Sequence, residues 1–66
     1  MTVQVNGSAR ELADGTTGAQ LLAELGAVPS ITVAEVNGRI VPRAEFGALM
    51  LHDGDVLELV TIVGGG

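Results

Sequence analysis

The chain has 66 residues, no cysteine, no lysine and a formal net charge of −5, and a single domain of that size buries only about 60% of the surface of its unfolded chain. That leaves little room for a deep catalytic pocket of its own, and the missing thiols exclude a disulfide framework, a thiolate metal site and a nucleophilic cysteine. The acidic balance disfavours nucleic acid and favours a basic protein partner, while the absence of a signal-like start or a membrane-length apolar run predicts no membrane association and a cytoplasmic location.

Val3 and Val5 alternate with polar residues, and Asn6-Gly7 follows them. Asn-Gly between alternating runs is a strong hairpin signal, because both residues tolerate the positive φ of a type I′ turn, so an opening hairpin running on through residues 10–12 is predicted. Asp14-Gly15 ends it. Thr17 with Gln20 three positions later fits a capping box, and Leu21, Leu22 and Leu25 form an apolar stripe that needs a sheet to cover it. Gly26 supplies a left-handed stop and Pro29 prevents resumption, which predicts one helix of two to three turns.

Residues 31–36 are rich in β-branched side chains, with Ala34 and Val36 on one face and Val33 and Glu35 on the other. A second Asn-Gly, Asn37-Gly38, turns the chain into Arg39-Ile40-Val41, and Pro42, which cannot donate to a ladder, makes that strand short or places it at an edge. Residues 43–51 are expected to hold one helical turn that pins Phe46, the only aromatic residue, into the core. Gly47 weakens that turn by about 1 kcal/mol relative to alanine. Asp53-Gly54-Asp55 is a turn into the last strand, residues 56–63. In this strand Leu57 and Leu59 share one face, and Val56, Glu58, Val60 and Ile62 share the other. Apolar residues on both faces fit either a fully central strand or a docking surface beside the tail.

Val63 is followed by Gly64, Gly65 and Gly66. Three glycines have no side chain to pack and lose the most backbone freedom on ordering, so the expected organisation is one domain over residues 1–66, folded through 63, with 64–66 as a flexible tail. A tether without Cβ atoms can thread a channel too narrow for other sequences and deliver one group, the carboxylate of Gly66. The sum of the elements is an α+β fold in which one main helix packs across one face of a mixed sheet of four to five strands, with the two end strands adjacent at the centre. That is the ubiquitin-like β-grasp.

Val36-Asn37-Gly38-Arg39-Ile40-Val41-Pro42-Arg43, the turn Leu51-His52-Asp53-Gly54-Asp55 and the ending Val63-Gly64-Gly65-Gly66 resemble the ThiS family of sulfur carriers in thiamin biosynthesis. Asp14-Gly15, Thr17 and the Leu21-Leu22 pair also fall where that family has them, and Phe46 stands where it often has tryptophan. The resemblance implies a carrier cycle. A ubiquitin-activating-like adenylyltransferase uses ATP to adenylate the terminal glycine, here Gly66; a sulfur-donating protein converts the adenylate to a thiocarboxylate; thiazole synthase accepts the sulfur. The chemistry is consistent with the residues, since a carboxylate with a pKa near 3.5 resists nucleophiles until activated, and this chain has no phosphate-binding loop with which to activate itself. The protein is then a co-substrate and not an enzyme, with no bound cofactor or metal. Gly64 and Gly65 would serve as tether, and Val60, Ile62 and Val63 with those glycines would meet the partners.

Other readings of the same tail are the small subunit of molybdopterin synthase, a ubiquitin-like modifier joined through Gly66 to target lysines, and an interaction module with an inert tail. The Val-Pro-Arg segment argues against the first. His52-Asp53-Gly54-Asp55 lacks the third acidic ligand and closing glutamate of a calcium loop and reads as a plain turn. Arg39 and Arg43 could meet a phosphate or an acidic partner, and Arg43 could equally cap local carbonyls.

Overall fold

The computed structural model describes residues 1–62, so the expectations for Val63, Gly64, Gly65 and Gly66 lie outside the described residues. Strands β1 (Thr2–Val5) and β2 (Ser8–Glu11) form the opening hairpin, α1 (Gly18–Leu25) crosses the sheet, and β3 (Thr32–Val36) and β4 (Arg39–Val41) form a second hairpin. A four-residue helix α2 (Arg43–Phe46) precedes the last strand, β5 (Val56–Thr61). The five strands lie in the order β2-β1-β5-β3-β4. β1 and β5 run parallel, with Val5 beside Leu57, and the other pairs are antiparallel. This is the mixed β-grasp sheet expected from the element order, with the first and last strands in contact and Pro42 just past an edge strand.

The local signals act as their chemistry predicts. Asn6 (φ 50°) and Asn37 (φ 53°) adopt the left-handed conformation that their following glycines continue. Thr17 accepts the Gln20 N–H while the Gln20 side chain accepts the Thr17 N–H, so the capping box is complete. Gly26 ends α1 with φ 69°.

Four details differ from the pattern, the first being that the last strand ends at Thr61 and leaves Ile62 beyond it. Ile31 belongs to a 3-10 turn at Pro29–Ile31 and not to β3, because Pro29 begins a tight turn in which the Ile31 N–H bonds the Val28 carbonyl at 3.2 Å. The second strand covers Ser8–Glu11 and leaves Leu12 beyond its end, buried in the core. Leu25 does not share the burial of Leu21 and Leu22: it sits in the last turn of α1, beside an open groove, and is 37% exposed.

The core lies between α1, α2 and one face of the sheet, built from Val3, Val5, Leu12, Leu21, Leu22, Ala34, Phe46, Leu51 and Leu57. Gly18 makes it possible for the two helices to meet. A Cβ placed there would stand 2.1 Å from the Phe46 carbonyl oxygen and 2.8 Å from two ring carbons of Phe46. The seam is closed by main-chain bonds from Gly18 N–H to Leu49 O (2.9 Å), Ala19 N–H to Gly47 O (3.1 Å) and Leu51 N–H to Thr16 O (2.9 Å).

Candidate functional site: the outer face of the last strand

Strand β5 is central in its hydrogen bonding and open on one face. Its inner residues alternate with its outer ones, so Leu57 is fully buried while Val56, Val60 and, just beyond the strand, Ile62 are 40%, 60% and 49% exposed. The strand has a neighbour on each side, but no described helix covers its outer surface, so its central position does not account for the apolar residues there. Val60 lies directly opposite Val33 of β3, and Ile40 of β4, which pairs with Glu35, is 70% exposed. Val60, Ile62, Ile40 and Val56 thus present apolar area to water on a sheet face that the core does not use, the arrangement that marks an interaction surface.

Within this face Glu35 and Glu58 stand directly opposite each other on β3 and β5. Like charges in that position repel, and neither glutamate has an ion-pair partner among the described residues, where the one salt bridge joins the Met1 amine to Asp14 at 3.4 Å. The two acids sit in the Ile40-Glu35-Glu58 row, two residues along β5 from Val60 on the same face.

Two asparagines fix where β5 begins and how far it is held. Asn37 Oδ1 accepts the Val56 N–H at 2.9 Å, and its Nδ2–H donates to Asp55 Oδ1 at 3.0 Å. Beyond the end of β1, Asn6 Oδ1 accepts the Leu59 N–H at 2.7 Å while its Nδ2–H donates to the Leu59 carbonyl at 3.2 Å. The Asn6 side chain thus extends the β1 ladder by one residue in the place of backbone. On the other side the Ile62 N–H reaches the Ile31 carbonyl at 2.7 Å, so β5 is tied down to the last described residue.

The remaining sequence candidates are accounted for by the frame. Asp53 accepts the Thr2 N–H at 2.7 Å and Asp55 accepts the His52 N–H at 2.8 Å, so the acids of the His52-Asp53-Gly54-Asp55 segment build a turn, with Gly54 at φ 86°. His52 is exposed. Arg43 Nη1–H donates to the Ser30 carbonyl, tying α2 to the turn before β3, which is the carbonyl-capping role. No group of three or more potential metal ligands occurs among the described residues, and no helix of the described residues is long and apolar enough to cross a membrane. Val60 and Ile62 are where the alternation put them, while Val63, Gly64, Gly65 and Gly66 lie outside the described residues. The asparagine contacts to β5 escaped the sequence reading, because an Asn-Gly pair announces its turn and not its distant partner.

A family model described as the ThiS family matches residues 3–66. The chain belongs to the ThiS family. In keeping with that membership, the fold is similar to the crystal structure of a thiamine biosynthesis protein (ThiS) from Geobacter metallireducens, 32% identical, with all of both chains covered and a TM-score of 0.82. A solution NMR structure of a thiamine biosynthesis protein from the same organism is 33% identical, with all of this chain and 88% of that one covered and a TM-score of 0.76. Two curated relatives named thiazole synthase, from Paramagnetospirillum magneticum and Magnetococcus marinus, are each 36% identical over 66 residues. This ThiS-family chain spans 20% of the length of each.

Proposed function

We propose that this ThiS-family chain is a cytoplasmic sulfur carrier of thiamin biosynthesis and acts as a co-substrate of other enzymes. A Gly66 carboxylate oxygen attacks the α-phosphorus of ATP on an adenylyltransferase, forming an acyl-adenylate and releasing pyrophosphate. A sulfide equivalent from a sulfur-donating protein then attacks the acyl carbon and AMP leaves, which puts a thiocarboxylate on Gly66. Thiazole synthase takes the sulfur. Gly64 and Gly65 tether the reactive group, while Val60, Ile62 and Val63 meet the partners. The observation that carries this function is the build of β5: a central strand, hydrogen-bonded through Ile62 and apolar on an open face, leads directly into the glycine segment. The family match running through residue 66 and the two relatives named thiazole synthase lend it further support.

The Glu35–Glu58 pair gives the docking face a sign. A partner that places one arginine or lysine over the pair removes a repulsion, so the complementary surface is apolar with a basic residue set within it.

The test is intact-mass spectrometry of the protein taken from cells starved of thiamin. The expected result is a fraction whose mass exceeds the remainder by one oxygen-to-sulfur exchange, localised by fragmentation to Gly66. The same spectrum reports whether Gly66 is the last residue of the mature chain. A single unmodified species under starvation, together with no pyrophosphate release when the protein meets the adenylyltransferase and ATP, would show that the carrier function is wrong.

A further inference from the structure

On the other side of the sheet, where α1 ends, β5 borders a groove of about 390 Å³ whose walls include Val5, Ser8, Arg10, Leu25, Leu59 and Thr61. Arg10 enters it by register. It pairs with Val3 across the hairpin, and cross-strand partners share a face, so its side chain lies on the helix side of β2 and not toward open solvent. Its Nε is buried and has no hydrogen-bond partner, the one buried side-chain polar atom of the described residues in that condition. A buried N–H of a charged group without an acceptor is unfavourable in the free chain, and Arg10 as a whole is only half-buried, with its side chain lining the open groove.

The groove therefore has a chemistry. A guanidinium presents its donors as a planar fork that fits a carboxylate with two parallel bonds. Ser8 and Thr61 add hydroxyls, and Val5, Leu25 and Leu59 add apolar wall. A free small anion is a poor occupant, because the chain as a whole carries a net charge of −5 and repels it. A carboxylate mounted on a protein surface is a better one, since the rest of that surface supplies the approach. Thr61, which lines the groove, is the last residue of β5 and lies one residue before Ile62 of the outer face.

We propose that this groove is a second docking point, in which Arg10 receives an aspartate or glutamate side chain of the enzyme that takes the tail. It rests on the carrier function. The partner then holds the base of the tail from both faces of the sheet, apolar contact on the Val60 side and a charge-assisted pair on the Arg10 side. The two contacts differ in sign, because the acidic pair on the outer face calls for a basic group and the groove for an acidic one. Together they fix one orientation of the domain on the enzyme.

The proposal is tested by calorimetric titration of the full chain with its adenylyltransferase, without ATP, so that binding is read and not turnover. Arg10→Met keeps the aliphatic stem and removes the donors, and Arg10→Lys keeps the charge without the fork. The expected result is a loss of affinity of about tenfold or more for R10M, with partial recovery in R10K, and a weaker dependence of affinity on salt in R10M. Thermal melting of free R10M should match or exceed that of the wild type, since the variant removes an unmet donor. A clearly lower melting temperature would give Arg10 a structural role and overturn the proposal. Wild-type affinity in R10M would overturn it as well, while leaving the carrier function intact if the sulfur-bearing mass is found. If the wild-type chain itself does not bind the enzyme, both are wrong.

Discussion

Gly18→Ala sets helix propensity against packing, and the structure says packing wins. Alanine is favoured over glycine by up to about 1 kcal/mol inside a helix, so local sequence alone predicts that this change at the first residue of α1 stabilises the protein. The new Cβ, however, would lie 2.1 Å from the main-chain oxygen of Phe46, and reaching even 3.0 Å requires the two segments to part by about 0.9 Å. Backbone has no rotamer with which to give way. A separation of that size would take the Gly18–Leu49 bond, now 2.9 Å, beyond hydrogen-bonding distance and would loosen the Ala19–Gly47 bond at 3.1 Å. Overpacking costs about 1–3 kcal/mol and each lost bond about 0.5–1.5 kcal/mol, so a net loss of about 2–3 kcal/mol is expected after the propensity gain. A chain of this length has a total stability of about 3–10 kcal/mol. Urea unfolding should show that loss in the midpoint, and the melting temperature should fall by about 10–20 °C. Gly47→Ala is the matched control. Gly47 has φ −58°, and its Cβ would meet only the Ala19 methyl at 3.7 Å, so that variant should gain about 0.4–1 kcal/mol. A Gly18→Ala protein as stable as the wild type would refute the claim that this close approach is what holds α1 against α2.

Asn37→Gly preserves the positive φ and removes the two side-chain bonds at the head of β5, so it should lower stability by about 1–3 kcal/mol in urea titration, and an unchanged midpoint would mean that the turn alone sets the register. Leu57→Ala opens a cavity at a fully buried site under the central strand and should cost about 2–5 kcal/mol, enough to leave little folded protein by circular dichroism at 37 °C. Val60→Glu, at an exposed outer position, should leave the melting temperature within about 2 °C of the wild type and weaken adenylyltransferase binding by about tenfold, and unchanged affinity would remove Val60 from the interface.

What could be read from the sequence is what short-range chemistry determines. Both Asn-Gly turns, the Thr17–Gln20 capping box, the Gly26 stop and the edge position of the strand before Pro42 each depend on residues a few places apart, and each is found in the structure. The alternation in β5 placed Leu57 inward and Val60 outward. It could not say whether anything covers the outward side, because that depends on which elements return to which face of the finished sheet. The bonds from Asn6 to Leu59 span 53 positions, and those from Asn37 reach 18 or 19, so no local pattern announces them. Nothing in the local sequence around Gly18 announces the Phe46 carbonyl that lies against it, 28 positions away. Arg10 did carry a signal: counting back from the Asn6-Gly7 turn puts it opposite inward-facing Val3, where a charged residue is out of pattern.

Under the proposed carrier function, the contacts of Asn6 and Ile62 would let so small a domain deliver a reactive group with accuracy. A carrier gains nothing from a mobile tether if the strand that bears it frays, because the reachable volume grows with every residue released. Here β5 is held on one side by β1 and then by the Asn6 side chain, and on the other by β3 and then by the Ile31 carbonyl. The last of these bonds among the described residues is made at Ile62, four residues before Gly66 in the sequence, and four extended residues span about 13–14 Å. Without the Asn6 bridge the last anchor on the β1 side would retreat to Leu57, whose carbonyl accepts the Asn6 N–H at 2.9 Å, and the end of β5 would be held on the β3 side alone, where pairing runs to Thr61. Misplacement of a reacting group by even about 1 Å can cost about 100-fold in rate. If the chain acts as the proposed carrier, the Asn6 and Ile62 contacts serve that function as much as stability, although neither residue would touch the nucleotide.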